Sequence, residues 1–211
     1  MEIFWLDEVD STQRFLLDAL KYEKVNAPIA VGATLQTNGK GSRGNTWIGE
    51  EGNFFFSFAY PKNELPNDLK LESASIYFSY LMKELLQSLG SSVWLKWPND
   101  FYIDNRKIGG LITNLREDIL VCGIGINLAK APDEFSHLDI KIDPKELAKL
   151  YIGLFEMLPN WKQIFSNFKI EFERSRTFFT HYNNLEIPME KAVLCEDGSL
   201  MCEGQRIFSL R

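Results

Sequence analysis

The 211-residue sequence predicts an α+β protein, a mixed and largely antiparallel sheet packed by helices, with a small β module at its C-terminal end. Three observations lead there. Runs rich in β-branched and aromatic residues follow one another across turn signals too short for a crossover helix. Separate long segments place apolar residues at helical spacing. The tail from Asn183 onward breaks into strand-length pieces divided by Gly-containing turns.

Each element has a local reason. Ile3–Leu6 reads as a short strand. Asp10-Ser11-Thr12 offers an N-cap for a helix over Gln13–Leu20, with Phe15, Leu16, Leu17 and Leu20 turned inward. Ile29–Thr37 and Asn53–Tyr60 are strands, and the loop Gly39–Trp47 lies between them. Leu71–Leu89 is a helix, with Ala74, Tyr77, Phe78, Leu81, Met82, Leu85 and Leu89 in register, ended by Gly90. Val93–Trp97, Phe101–Ile103, Lys107–Leu115 and Ile119–Asn127 form a run of strands. Asp104-Asn105 turns tightly, and Asn114 to Asp118 turns between the last two. Pro144–Leu158 is a helix. Asn160 caps another whose stripe of Trp161, Ile164, Phe165, Phe168 and Phe172 reads most simply as core. Lys191–Cys195, Leu200–Cys202 and Arg206–Leu210 are short tail strands. So small a module holds little core alone and should pack on the main domain. The expected division is therefore 1–182 and 183–211.

Composition narrows the function. A net charge of −6 gives no global basic field for nucleic acid. Cys122, Cys195 and Cys202 are too few and too oddly spaced for a disulfide framework or zinc site, and His137 and His181 are the only histidines. No signal-type segment or spanning apolar run occurs. The expectation is a cytoplasmic protein with no DNA or membrane partner.

Four blocks could carry chemistry. Gly39-Lys40-Gly41-Ser42-Arg43-Gly44-Asn45-Thr46-Trp47 fits G-x-G-x-x-G, but a strand follows it where a dinucleotide site needs a helix. It reads either as a cationic lid over an anion or as a plain hairpin loop. In Lys96-Trp97-Pro98-Asn99-Asp100 the proline ends a strand, so Asn99 and Asp100 project from its end. A lysine, carboxamide and carboxylate there suit phosphate, nucleotide or Mg²⁺; an ordinary turn is the alternative. Arg106-Lys107-Ile108-Gly109-Gly110-Leu111 brings Lys107 beside Asn99 and Asp100, with glycines that either admit a ligand or mark a bulge. Gly123-Ile124-Gly125-Ile126-Asn127 alternates a bare face with a greasy one, for a flat ligand or for tight helix packing. Together they suggest one site on one face of the sheet.

In this order, with Asp10-Ser11-Thr12 ahead of them and Gly204-Gln205-Arg206-Ile207-Phe208-Ser209-Leu210-Arg211 closing the chain, the blocks resemble those of the biotin protein ligases. The resemblance covers nearly the whole chain. It implies a class II synthetase-like catalytic domain with an SH3-like C-terminal module. It also implies the chemistry: biotin and ATP give biotinyl-5′-AMP and pyrophosphate, and a lysine of a biotin carboxyl carrier protein domain then takes the biotin. ATP and Mg²⁺ would serve as substrate and activator, with no tightly bound prosthetic group. By family matching, Lys107 and Asp100 are the catalytic pair, with Lys107 holding the carboxylate and α-phosphate in line. Ser11, Thr12 and Gln36 would meet the ureido end of biotin. Gly39, Lys40, Lys107, Gly110, Ile112 and Gly123 would complete the biotin site. Arg43, Asn45, Trp47, Lys96, Asn99, Asp100 and Asn127 would serve ATP, with Trp47 stacked on adenine and Asp100 toward Mg²⁺.

Two departures stand out. The Ser-Thr block begins at residue 11, which matches the short form lacking the winged-helix DNA-binding domain. The family's Gly-Arg-Gly-Arg-x-Gly-Arg-x-Trp loop has Lys40, Ser42 and Asn45 at its arginine positions. Lysine does not reproduce a planar bidentate fork. Rival readings are a lipoate protein ligase, from which the scarcity of histidine and the Lys-Trp-Pro-Asn-Asp block separate it, and a biotin-binding protein without ligase activity. Oligomeric state is left open, with a homodimer among the options.

Overall fold

A computed structural model of the chain describes residues 1–41, 45–47, 49–182 and 185–209. Its centre is a seven-stranded sheet built from β1 (Glu2–Val9), β2 (Ile29–Gln36), β5 (Phe54–Pro61), β6 (Trp94–Lys96), β7 (Asp100–Ile103), β8 (Arg106–Arg116) and β9 (Ile119–Ile126). The strand order is β1-β2-β5-β9-β8-β7-β6. β1 and β2 pair in parallel, and the remaining described pairings are antiparallel. A two-stranded ribbon of β3 (Gly39–Lys40) and β4 (Thr46–Trp47) carries the glycine-rich loop.

The period of two along β5 and β9 sorts the layers. Phe54, Phe56 and Phe58 with Cys122, Ile124 and Ile126 join the large core, against α2 (Ala74–Ser88), α3 (Pro144–Gly153) and α4 (Trp161–Glu171). Ala59 and Val121 point the other way, into a smaller cluster with Leu16 and Leu20 of α1 (Thr12–Lys21). Gly123 and Gly125 share that second face. Their bare surface lies beside α1 and the β3–β4 ribbon.

α1 differs from expectation in its phase. Ser11 is the N-cap and accepts from the Arg14 amide, but the buried positions are Thr12, Gln13, Leu16, Ala19 and Leu20, while Phe15 is 41% exposed. Adjacent helical residues lie about 100° apart, so 15, 16 and 17 cannot all share one stripe. The stripe that faces the sheet carries Gln13. The Asn114–Asp118 turn also shrinks, to Glu117-Asp118 with Glu117 at φ 52°, because Asn114 stays in the ladder opposite Val121. The helices expected over 71–89 and 144–158 are α-helical only over 74–88 and 144–153, with 3-10 turns at Leu71–Ser73 and Leu154–Met157.

β6 is an edge strand, and its outward amides are closed by side chains rather than by another strand. Glu171 of α4 accepts from the Leu95 amide at 2.8 Å, and Ser175 Oγ accepts from the Trp97 amide at 3.0 Å. Buried Lys83 of α2 pairs with the same Glu171 at 2.8 Å, which ties the edge to two helices.

The tail packs on the main body as expected. β10 (Phe179–Tyr182), at the end of the main body, pairs with β11 (Leu185–Pro188) of the tail, and β12 (Val193–Leu194), β13 (Leu200–Cys202) and β14 (Gln205–Ile207) form a small sheet. Met189, Ala192, Leu200, Cys202 and Ile207 enter the main core. Within the small sheet, burial pushes the Asp197 carboxyl up, but hydrogen bonds from Ser199 and the charge of Arg206 outweigh it and hold it below its ordinary value. A depressed carboxyl contributes stability above its unfolded pKa and loses it as pH falls through the folded one. Asp197→Asn should therefore melt below wild type near neutrality, and the gap should narrow as pH falls below the ordinary carboxylate range. A constant gap across that range would contradict this role.

Candidate active site

One pocket opens on the bare face. β8 and β9 supply its floor through Gly110, Ile112, Gly123 and Gly125, and Ser57 adds to it from β5. α1 supplies Ser11, Thr12 and Gln13; Gln36, Lys40, Gly41 and Trp47 close one side, and Asn99, Asp100 and Lys107 another. The register explains the convergence: Asp100 lies opposite Gly110, Gly110 opposite Gly125, and Ile112 opposite Gly123.

One end is a polar, uncharged wall. Gln36 Oε1 accepts from the Thr12 amide at 2.9 Å and from Thr12 Oγ1 at 3.2 Å, and Ser57 Oγ donates to Thr12 Oγ1 at 2.9 Å. A backbone N–H only donates, so the Gln36 oxygen is fixed on Thr12 and its NH₂ group faces the Gly39 side. Gln13 is fixed the same way. Its Nε2 donates to Asn114 Oδ1 at 3.0 Å and to the Val121 carbonyl at 3.2 Å, and a carbonyl only accepts. Gln13 Oε1 is thus turned over Gly123, where a Cβ would come within 2.6 Å of it. This buried oxygen accepts no hydrogen bond from the described residues. A buried acceptor left so is costly unless a ligand N–H or a water meets it.

The other end is charged. Lys107 Nζ pairs with Asp100 Oδ1 at 2.6 Å, both partly exposed. Its Nζ sits beside Gly110, one dipeptide along β8 from Ile112, about 7 Å at strand rise. The turn beneath is held from inside: Asn99 Nδ2 donates to the Leu111 carbonyl, and the Leu111 amide donates to the Asn99 carbonyl at 3.0 Å.

Trp47 covers Gly125, where a Cβ would approach its ring to 2.7 Å. With Thr46, Asn127, Pro132 and Phe135 it also borders a second, shallow hollow. Its indole N–H is buried and donates to none of the described residues. Asn127 donates to the Ser136 carbonyl at 3.2 Å. Gly39 sits under Gln36 and Trp47, and its missing Cβ would be 2.3 Å from Gln36 Nε2.

Of the residues singled out in the sequence, Ser11, Thr12, Gln36, Lys40, Trp47, Asn99, Asp100, Lys107, Gly110, Ile112 and Gly123 meet at this pocket. Lys96 shares the Asp100 face, but its Nζ lies over the rings of Tyr102 and Phe178, 5.6 Å from each centroid. Asn45 is on the ribbon loop, its carbonyl accepting from the Gly41 amide. Arg43 and Ser42 lie outside the described residues. Sequence reasoning missed Gln13 and Ser57. The signal for Gln13 was available, since it directly follows Ser11-Thr12 and shares a stripe with Leu16 and Leu20.

The sequence model of the Biotin/lipoate A/B protein ligase family matches residues 5–129. The Escherichia coli bifunctional ligase/repressor BirA is 32% identical over 131 residues, covering 59% of this chain and 40% of that protein. The chain thus spans well under half the length of this curated relative. Among solved structures, the Helicobacter pylori biotin acetyl coenzyme A carboxylase synthetase with bound biotinylated ATP superimposes with a TM-score of 0.93 at 36% identity, over 98% of this chain and 99% of that one. The Aquifex aeolicus biotin protein ligase in complex with biotin and ATP gives a TM-score of 0.75 at 25% identity, over 100% and 96%. The matched segment contains every block that lines the pocket, and the solved relatives extend the likeness through the tail, so this chain belongs to the Biotin/lipoate A/B protein ligase family and stands with its biotin protein ligases.

Proposed function

We propose that this protein activates biotin with ATP and transfers it to a lysine of a biotin carboxyl carrier protein domain. The observation that supports it most is the division of one pocket into a buried, hydrogen-bonding, uncharged end and a lysine–carboxylate end. The ureido ring has two N–H donors and a carbonyl acceptor. The Gln13 oxygen and the Ser57–Thr12–Gln36 chain match that set. A dithiolane would leave these groups unpaired, which disfavours lipoate.

The ring would lie beside Gly123, against the Gln13 oxygen, with the valeryl chain along Gly110 and Ile112, so that the carboxylate reaches Lys107. A carboxylate oxygen attacks the α-phosphate, a new P–O bond forms, and pyrophosphate leaves with the broken one. Both reactants are anions, and the Lys107 ammonium screens them. Asp100 orients that ammonium. The acceptor amine then attacks the acyl carbonyl, and AMP departs. The chemistry needs positioning and charge rather than a side-chain nucleophile.

Among the described residues no group of three His, Cys, Asp or Glu is arranged for a metal. Mg²⁺ carried by nucleotide phosphates needs only one or two carboxylates, and Asp100 fits that role. Bound there, Mg²⁺ would supply further charge neutralisation on the phosphates. Trp47 and Asn127, at the adjoining hollow, are the proposed adenine side. We also assign residues 1–182 to the catalytic unit and 183–211 to the SH3-like module.

The test is intact mass of a biotin acceptor domain after incubation with the protein, ATP, Mg²⁺ and either biotin or lipoate. A biotinyl adduct is expected with biotin. A lipoyl adduct alone, or no adduct, contradicts the proposal.

A further inference from the structure

Three successive carbonyls in the tail are each bound by a side chain from the main body. Trp161 Nε1 of α4 donates to the Glu196 carbonyl at 2.8 Å, Ser73 Oγ to the Asp197 carbonyl at 2.7 Å, and Trp97 Nε1 to the Gly198 carbonyl at 2.8 Å. Gly198 holds the turn at φ +76°, close against Ile76 and Trp161. The first two bonds dock the tail on helical elements. The third differs, because Trp97 leads through Pro98 straight into Asn99 and Asp100.

Trp97 is fully buried and its backbone is also fixed, with its amide on Ser175 Oγ. The pocket turn is therefore braced on both sides: Asn99 against Leu111 within the sheet, and Trp97 against Gly198 outside it. We propose that Trp97 is a positioning residue, and that its indole bond to Gly198 makes the C-terminal module a brace for the Asp100–Lys107 pair. This rests on the ligase reading for its catalytic consequence, though not for its structural one. Misplacing reacting groups by about an ångström is expensive, whereas the side chains of the ureido wall come from α1, β2 and β5 and not from this turn.

Trp161 supplies a matched control, since it gives the same kind of bond, at the same length, to the same turn. Trp97→Phe and Trp161→Phe should both lower the melting temperature. Trp97→Phe alone should speed amide hydrogen exchange at Leu111, whose N–H is held by the Asn99 carbonyl, by about tenfold. It alone should also slow biotin-dependent pyrophosphate release about tenfold or more at saturating ATP, with biotin affinity unchanged. Ser175→Ala removes the bond to the Trp97 amide and should move both readouts in the same direction, which covers the case that Trp97→Phe folds poorly. If wild type releases no pyrophosphate with biotin, the ligase reading fails and Leu111 exchange still decides the brace. If the Trp97 and Ser175 variants match Trp161→Phe in exchange and turnover, the proposal is overturned.

Discussion

Lys107→Ala should lower adenylate formation by about 10²- to 10³-fold while the fold survives. The ammonium at this end of the pocket is held by Asp100 at 2.6 Å, beside the face of Gly110. In the proposed reaction, losing it removes the lysine charge that screens the two anions. The fold should tolerate the change because Asp100 is partly exposed, so water can solvate the carboxylate left behind. Lys107→Arg should recover only part of the rate, since a planar fork does not place its charge where an ammonium does. Single-turnover pyrophosphate release, read beside the melting temperature, measures both halves of the expectation. Near-normal release by the alanine variant would remove Lys107 from the chemistry.

Gln13→Leu should raise the biotin dissociation constant by about ten- to a hundredfold, the cost of leaving one ligand N–H buried without an acceptor. The substitution keeps approximate volume and removes the oxygen turned over Gly123. It also removes the bonds to Asn114 and Val121, so some stability is lost as well. A ligand-side change separates the two effects. N-methylation of the ureido ring should weaken binding to wild type and weaken it much less in Gln13→Leu. Calorimetry that gives the variant wild-type affinity, or equal N-methyl penalties in both proteins, would show that Gln13 does not meet the ligand.

The legibility of the site followed the range of the interactions. Alternation of Gly and Ile over 123–126 is a local signal, and it placed the bare face correctly because strand period fixes sidedness. Lys107 beside Asp100 was readable because the turns linking 96, 100 and 107 are short and force neighbouring strands. Gln13 was hidden by Phe15. Counting apolar side chains placed Phe15 on the buried stripe, whereas packing against Ala59 and Val121 chose Leu16 and Leu20 and brought Gln13 with them. Ser57 sat within a run of phenylalanines, and its role depends on Thr12 across the sheet. Lys96 and Asn99 are adjacent to the same turn, yet one rests on aromatic rings and the other on a backbone carbonyl. The sequence pattern does not separate such neighbours, because partners distant in the chain decide between them. Nothing in the tail's own composition says that its turn at 196–198 docks under Trp97 and Trp161; that is a tertiary choice.

A crystal structure of the protein with biotin bound tests the central claim most directly, because that claim is about the direction in which one ligand lies in one pocket. The account predicts the ureido ring beside Gly123, an N–H within about 3 Å of Gln13 Oε1, and the carboxylate at hydrogen-bond distance from Lys107 Nζ. Biotin bound in the reverse direction, or outside the pocket between α1 and the Asp100–Lys107 pair, would contradict it.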